Sequence, residues 1–151
     1  MKHGDGNGLS AGRGKVAFVL GGGGHLGAVQ VGMLGALIAA GIRPDMILGT
    51  SVGAINGMLI AADPSPTAVA QLVDLWTAIA STAVLSGSML HRAGMLARTG
   101  THLHSPDRLR ALLTDALAVA NIEDLTIQFQ CVAASIERAA EHWFRSSCPP
   151  F

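Results

Sequence analysis

Short apolar runs closed by glycine or proline alternate along this chain with longer apolar stretches, and that rhythm predicts alternating strands and helices. Residues 15–20 (KVAFVL) are β-branched and aromatic, run into four glycines, and read as a buried strand. Residues 27–40 are apolar on every side except Gln30, so the predicted helix has no polar face and is expected to be enclosed all round. Gly32 and Gly35 each weaken such a helix by about 1 kcal/mol relative to alanine, which close packing against a sheet would explain. Gly41 ends it, and Pro44 follows. A second strand is expected over 46–49 and a second, almost wholly apolar helix over 52–62, stopped by Asp63 and Pro64. Ser65 then caps a helix with Pro66 at its first position, running to about Ala80. Ser105 and Pro106 repeat that start signal for a helix to about Ala118. Residues 126–136 read as a strand, with 141–145 as its hairpin partner across 137–140. Parallel neighbours need crossovers, so this order predicts an α/β fold: a mostly parallel sheet covered on both faces, three layers in α/β/α order.

The composition narrows the class. A length of 151 residues, half of them hydrophobic, suits one domain with a real core and excludes disorder. Ten basic side chains balance ten acidic ones, without the basic excess of a nucleic-acid binder, so no nucleic-acid partner is expected. Cys131 and Cys148 cannot build a disulfide framework, which points to a reducing, cytoplasmic setting. Residues 1–14 are polar and glycine-rich, lack the apolar core of a signal peptide, and read as a disordered leader to a domain over 15–151. The longest apolar stretch, 28–42, is shorter than the roughly 18 residues of a membrane span and contains Gln30, so it reads as core.

Two glycine motifs carry the candidate chemistry. Gly49-Thr50-Ser51-Val52-Gly53 fits G-x-S-x-G, and it lies between a predicted strand and an apolar helix, as a nucleophile elbow must. The plain alternative is a serine capping a helix after a strand. The second motif, Gly21-Gly22-Gly23-Gly24-His25-Leu26-Gly27, joins the first strand to the first helix. Bare amides at a helix N-terminus make an anion site, which in an acyl hydrolase receives the oxyanion of the tetrahedral intermediate. Gly22, Gly24 and Gly27 also satisfy the dinucleotide fingerprint G-x-G-x-x-G. A nucleotide site would carry an acid at the end of its second strand, whereas Asp45 stands at the start of this one, so no cofactor is expected.

An ordinary α/β-hydrolase places several strands before its elbow, and here one strand precedes Ser51. A glycine-rich loop after the first strand, an apolar helix, then G-T-S-V-G-A after the second resembles the patatin-like phospholipase family, over residues 15 to about 144. The resemblance implies a lipid acyl hydrolase with a Ser–Asp dyad, acting on phospholipid or another lipid ester. It makes Ser51 the nucleophile, Gly49 and Gly53 the glycines of the elbow, and the amides of Gly22, Gly23 and Gly24 the oxyanion loop. Two positions depart from the family pattern. Leu26 stands where the family has a basic residue, with His25 beside it. The family's aspartate is followed by glycine, but Asp63, Asp74, Asp107, Asp115 and Asp124 are not, and Asp5-Gly6 lies in the leader. The catalytic Asp is therefore not present, the domain reads as incomplete at its C-terminus, and the 151 residues are expected to show little turnover and a tendency to associate.

Weaker signals lie downstream. His91, Arg92, Arg98, His102 and His104 gather among Met89, Leu90, Met95 and Leu96, with no acid between Asp74 and Asp107. Such a stretch suits a lid or a peripheral membrane contact, or simply a solvated loop. His102 and His104 lack a convincing third ligand, so no metal site is expected. His25 could serve as a base, but a histidine that orders the turn is the simpler reading. Phe18, Trp76 and Trp143 are expected in the core, Cys131 inert in a strand and Cys148 exposed. Against the hydrolase stands a second reading: a non-catalytic lipid- or nucleotide-binding remnant that keeps the glycine loop as an anion site.

Overall fold

The computed structural model describes residues 14–81, 110–111, 114 and 121–146. Four strands, β1 (Ala17–Leu20), β2 (Met46–Thr50), β3 (Gln128–Ser135) and β4 (Ala140–Phe144), form one sheet in chain order. The first three are parallel and β4 returns antiparallel beside β3. Three helices, α1 (Gly27–Ala39), α2 (Val52–Ala62) and α3 (Pro66–Ser81), complete the described secondary structure apart from two single 3-10 turns and a short helical stretch at Arg110, Ala111 and Thr114. The α/β class and the mostly parallel sheet are as the sequence implies.

Phe18, Ile47 and Phe129 occupy one row across β1, β2 and β3, and all three are buried on the same face. α2 lies directly on that face, while α1 and α3 pack on α2 and on each other. The helices share a side for a topological reason. Each new strand is added in the same direction, and right-handed crossovers that advance in one direction fall on one side of the sheet. On the other face Val19 is 73% exposed. The expected second helical layer does not lie among the described residues. Sequence order reveals the alternation of elements, but not the direction in which strands are added.

This stacking also corrects the expectation for α1. Its buried stripe is Gly27, Val31, Leu34 and Ile38. Val29 and Met33 are 62% and 61% exposed, so the helix is not enclosed. An apolar helix in the outer tier, with neighbours on one side, keeps a solvent-facing flank. Gly35 does serve a close approach, but to α3: a Cβ there would sit 3.2 Å from Val69 Cγ1. A Cβ on Gly32 would meet nothing within 4 Å.

Ser65 caps α3 as its position suggests, its hydroxyl oxygen accepting the Thr67 N–H at 3.2 Å. Trp76 and Phe18 are core residues, but Trp143 is 37% exposed. It stands on the edge strand β4 opposite Val132, on the face away from α2. Of the helix expected over 105–118, the three described residues are helical, and Thr114 Oγ1 donates to the Arg110 carbonyl at 2.9 Å. Residues 1–13, the stretch 82–109 and Cys148 lie outside the described residues.

Open space at Gly32 sets up a comparison. Gly32→Ala is expected to raise stability by about 0.5–1 kcal/mol, read as an increase in the urea midpoint at constant slope. Gly35→Ala should gain less, because the Val69 side chain must give way. A loss of stability in Gly32→Ala would contradict the packing of α1.

Candidate active site

β2 ends at Thr50, α2 begins at Val52, and Ser51 between them adopts φ 53°, ψ −124°. This left-handed conformation is costly for a residue with a side chain, about 1–3 kcal/mol, so its surroundings must impose it. They do so by direct backbone contact. A Cβ on Gly49 would stand 2.8 Å from both the Ala54 nitrogen and the Gly53 oxygen. A Cβ on Gly53 would collide with the Leu20 carbonyl oxygen. The first turn of α2 therefore rests on the ends of β1 and β2 with no side chain between. Both motif glycines are needed for that contact. Ser51 occupies the N-cap position, and its carbonyl accepts the Ala54 N–H at 2.9 Å, yet its side chain makes no capping bond. The capping alternative does not account for this serine.

The glycine loop reaches the same point from β1. A Cβ on Gly22 would lie 3.3 Å from Ser51 Cβ and 3.9 Å from its Oγ, so the loop passes beside the hydroxyl at Gly22. Gly23 and Gly24 lead onward into the 3-10 turn Gly24–Leu26, and Gly24 has φ +57°. His25 and Leu26 in that turn are exposed. Of the three oxyanion-loop glycines expected from the sequence, the nearest-atom contacts bring Gly22 against Ser51.

A buried polar network fixes the loop. Asn56 on α2 is completely buried. Its Nδ2 donates to the Gly27 carbonyl at 2.9 Å and to Gln30 Oε1 at 3.1 Å, and its Oδ1 accepts the Trp76 Nε1–H at 2.9 Å. Gln30 Nε2 in turn donates to the Gly21 carbonyl at 2.8 Å. Gln30, the lone polar position of α1, thus ties the helix back to the loop that precedes it. Gly27 belongs to the same packing, since a Cβ there would run into the Trp76 indole. Asn56 was not singled out in the sequence. The available signal was an amide inside an otherwise apolar helix.

An open cavity of about 480 Å³ lies beside Ser51, lined by Thr50, Ser51, Val132, Ala133, Ala134 and Glu141. Its wall exists because β3 outruns β2. Thr50 pairs with Val132, and β3 continues to Ser135 with β4 alongside. Glu141 is not singled out by the sequence either, because the family pattern calls for an aspartate. None of those aspartates lines the cavity among the described residues. Asp63 caps the far end of α2, roughly 18 Å along the helix from Ser51. Asp124 precedes β3, at the opposite end of the parallel strands, and Asp74 is exposed on α3. Asp107, Asp115 and Asp5 lie outside the described residues. Asp45, at the start of β2, accepts the Val16 N–H at 2.7 Å, a structural tie far from any ribose site. Burial pushes the half-buried Cys131 thiol above its ordinary pKa, which disfavours the reactive thiolate. Among the described residues no group of three His, Cys, Asp or Glu could hold a metal ion.

With this geometry in view, comparison with known proteins is decisive on kinship. The family model for patatin-like phospholipases matches residues 18–148. This chain belongs to the patatin-like phospholipase family. It is 33% identical over 131 residues to a lysophospholipase, nte1, of Aspergillus terreus, covering 87% of this chain and 8% of that protein. It is 31% identical over 121 residues to a putative patatin-like phospholipase domain-containing protein, M110.7, of Caenorhabditis elegans, covering 80% of this chain and 11% of that one. A 62-residue stretch, 41% of this chain, is 45% identical to the neuropathy target esterase sws of Drosophila sechellia, of which it covers 4%. The chain thus spans about a tenth or less of the length of these patatin-like relatives.

Three substitutions at two positions test the site's construction. Ser51→Gly removes the penalty of a positive φ and is expected to raise stability by about 1 kcal/mol, while Ser51→Ala keeps the Cβ and stays near the original value. Asn56→Ala leaves the buried Trp76 Nε1–H without its partner and cuts the tie from α2 to Gly27 and Gln30, and it is expected to lower stability by about 1–3 kcal/mol. Urea midpoints for all three report the result, and a Ser51→Gly protein less stable than Ser51→Ala would refute the strain.

Proposed function

We propose that this chain is a serine acyl hydrolase of lipid esters, of phospholipase A or lipase type, with Ser51 as its nucleophile. The observation that carries this reading is a serine held at positive φ, its hydroxyl unused as a cap, with Gly22 of the glycine loop against it. In the proposed reaction Ser51 Oγ attacks the ester carbonyl carbon, and the carbonyl oxygen gains negative charge as the tetrahedral intermediate forms. Amides of the Gly22, Gly23 and Gly24 loop receive that charge, each such donor being worth about 3 kcal/mol in comparable sites. The Ser51 proton passes to a carboxylate and then to the leaving alcohol, and water releases the acid from the acyl-serine. The family resemblance implies that this carboxylate is an aspartate. No aspartate after Ser51 is followed by glycine in this sequence, so turnover by residues 1–151 alone is expected to stay low.

Lipid esters are the substrate class because the relatives are named as phospholipase, lysophospholipase and esterase. No helix among the described residues is long and apolar enough to cross a membrane. On this reading the protein meets its lipid peripherally, in the cytoplasm. The second reading, a lipid- or nucleotide-binding remnant without catalysis, is favoured by the lack of an aspartate–glycine pair after Ser51.

Covalent capture separates the two. A fluorophosphonate probe should label the protein purified from its native source at Ser51, identified by peptide mass, and Ser51→Ala expressed in the same cells should remain unlabelled. Release of fatty acid from lysophospholipid should fall by about three orders of magnitude or more in that variant. Absence of labelling at Ser51, or labelling that persists in Ser51→Ala, would overturn the assignment.

A further inference from the structure

The proposed reaction uses Ser51 and the glycine loop, and it leaves Glu141 without a role. Among the described residues lining the cavity beside Ser51, Glu141 is the one with a side chain charged at neutral pH; the others are Thr50, Val132 and two alanines. It is held there by the fold. Glu141 pairs in register with Ala134 on β3, so the hairpin fixes its backbone on the wall that overhangs the end of β2. No lysine or arginine lines the cavity among the described residues. The other acid of the hairpin, Glu137, is engaged in the turn, where its carboxylate accepts the Ser135 hydroxyl at 3.2 Å.

We infer that Glu141 sets the charge preference of the Ser51 cavity: the part of a substrate held against the β3–β4 hairpin is neutral or cationic, and an anionic group there is disfavoured. This inference rests on the proposal that the Ser51 cavity is the substrate site. A carboxylate set among uncharged described residues in an open cavity acts on the charged ligands that enter it. Across a few ångströms of partly solvated space the effect amounts to about three- to ten-fold in affinity, and it declines as salt screens it. Ester hydrolysis yields a carboxylic acid that ionises on release, so the same charge that selects entering groups also hastens departure of the acid product.

Binding of simple amphiphiles below their micellar concentration tests the inference without requiring turnover. Octyltrimethylammonium, octanoate and 1-octanol share a chain length and differ in charge. Titrations would be followed at the backbone amides of Val132, Ala133 and Ala134. At low salt the cation is expected to bind about three- to ten-fold more tightly than the anion, with the alcohol between them. In Glu141→Gln the preference should vanish, in Glu141→Lys it should reverse, and 0.5 M salt should shrink it in the unsubstituted protein. A cation-to-anion ratio that Glu141→Gln leaves unchanged, or failure of all three amphiphiles to perturb these amides, would overturn the inference. Labelling of Ser51 is read separately on the unsubstituted protein. An inert serine with an intact charge preference would remove the proposed hydrolysis and leave the role of Glu141 standing, and the converse is equally visible.

Discussion

Backbone contact between the first turn of α2 and the ends of β1 and β2 is the constraint from which the rest of the site follows. Gly49 and Gly53 allow that contact, because a Cβ at either would occupy the space of main-chain atoms across the turn. With the helix pressed so close, the one residue left to join strand and helix has no room to adopt an ordinary conformation. Ser51 therefore takes φ 53° and stands at the C-terminal end of the sheet with its side chain unengaged by the helix it begins. The same contact brings the end of β1 alongside, so the glycine loop that continues from Leu20 starts next to Ser51.

A second layer of constraint holds the loop in place. Glycines offer no side chains to anchor a backbone, and an array of bare amides is only as ordered as its supports. Here the support is polar and buried: Asn56 bridges the Gly27 carbonyl, Gln30 and the Trp76 indole, while Gln30 reaches back to the Gly21 carbonyl. Both ends of the loop are thereby tied down, Gly21 to Gln30 of α1 and Gly27 to Asn56 of α2, which Trp76 of α3 holds in turn. An apolar residue at 56 would pack as well but would leave the Trp76 N–H buried without a partner and the loop without its tie to α2. The order of the loop thus depends on residues that lie outside it.

The strands, the helices and the elbow were legible in the sequence because each is written locally. Pro66 and Ser65 mark the start of α3, the glycines bracket Ser51, and the run 126–136 brings in β3 and its hairpin. Relations between elements were less legible. The enclosure expected for α1 fails because hydropathy reports which residues avoid water, not which tier of the fold they occupy. Trp143 was assigned to the core on its residue type, yet it lies on an edge strand. Asn56 and Glu141 escaped notice for different reasons. An asparagine within an apolar helix reveals its partners only when three helices are assembled, and Glu141 reaches the cavity beside Ser51 because β4 folds back antiparallel along β3.

The order of the strands has a consequence for how the site comes together as the chain folds. β1 and β2 pair across a separation of roughly 30 residues, with α1 as the connection, whereas β2 and β3 pair across roughly 80, and closing the longer span costs about 1 kcal/mol more in chain entropy. The elbow, the glycine loop and their helices belong to the near-neighbour part of the chain, while the wall bearing Glu141 belongs to a hairpin that must be recruited from far along it. Ser51 and its flanking glycines can thus be assembled before the cavity beside them has its far side, and pulse-labelled amide exchange during refolding, compared between Gln128–Ser135 and Met46–Thr50, reads that order.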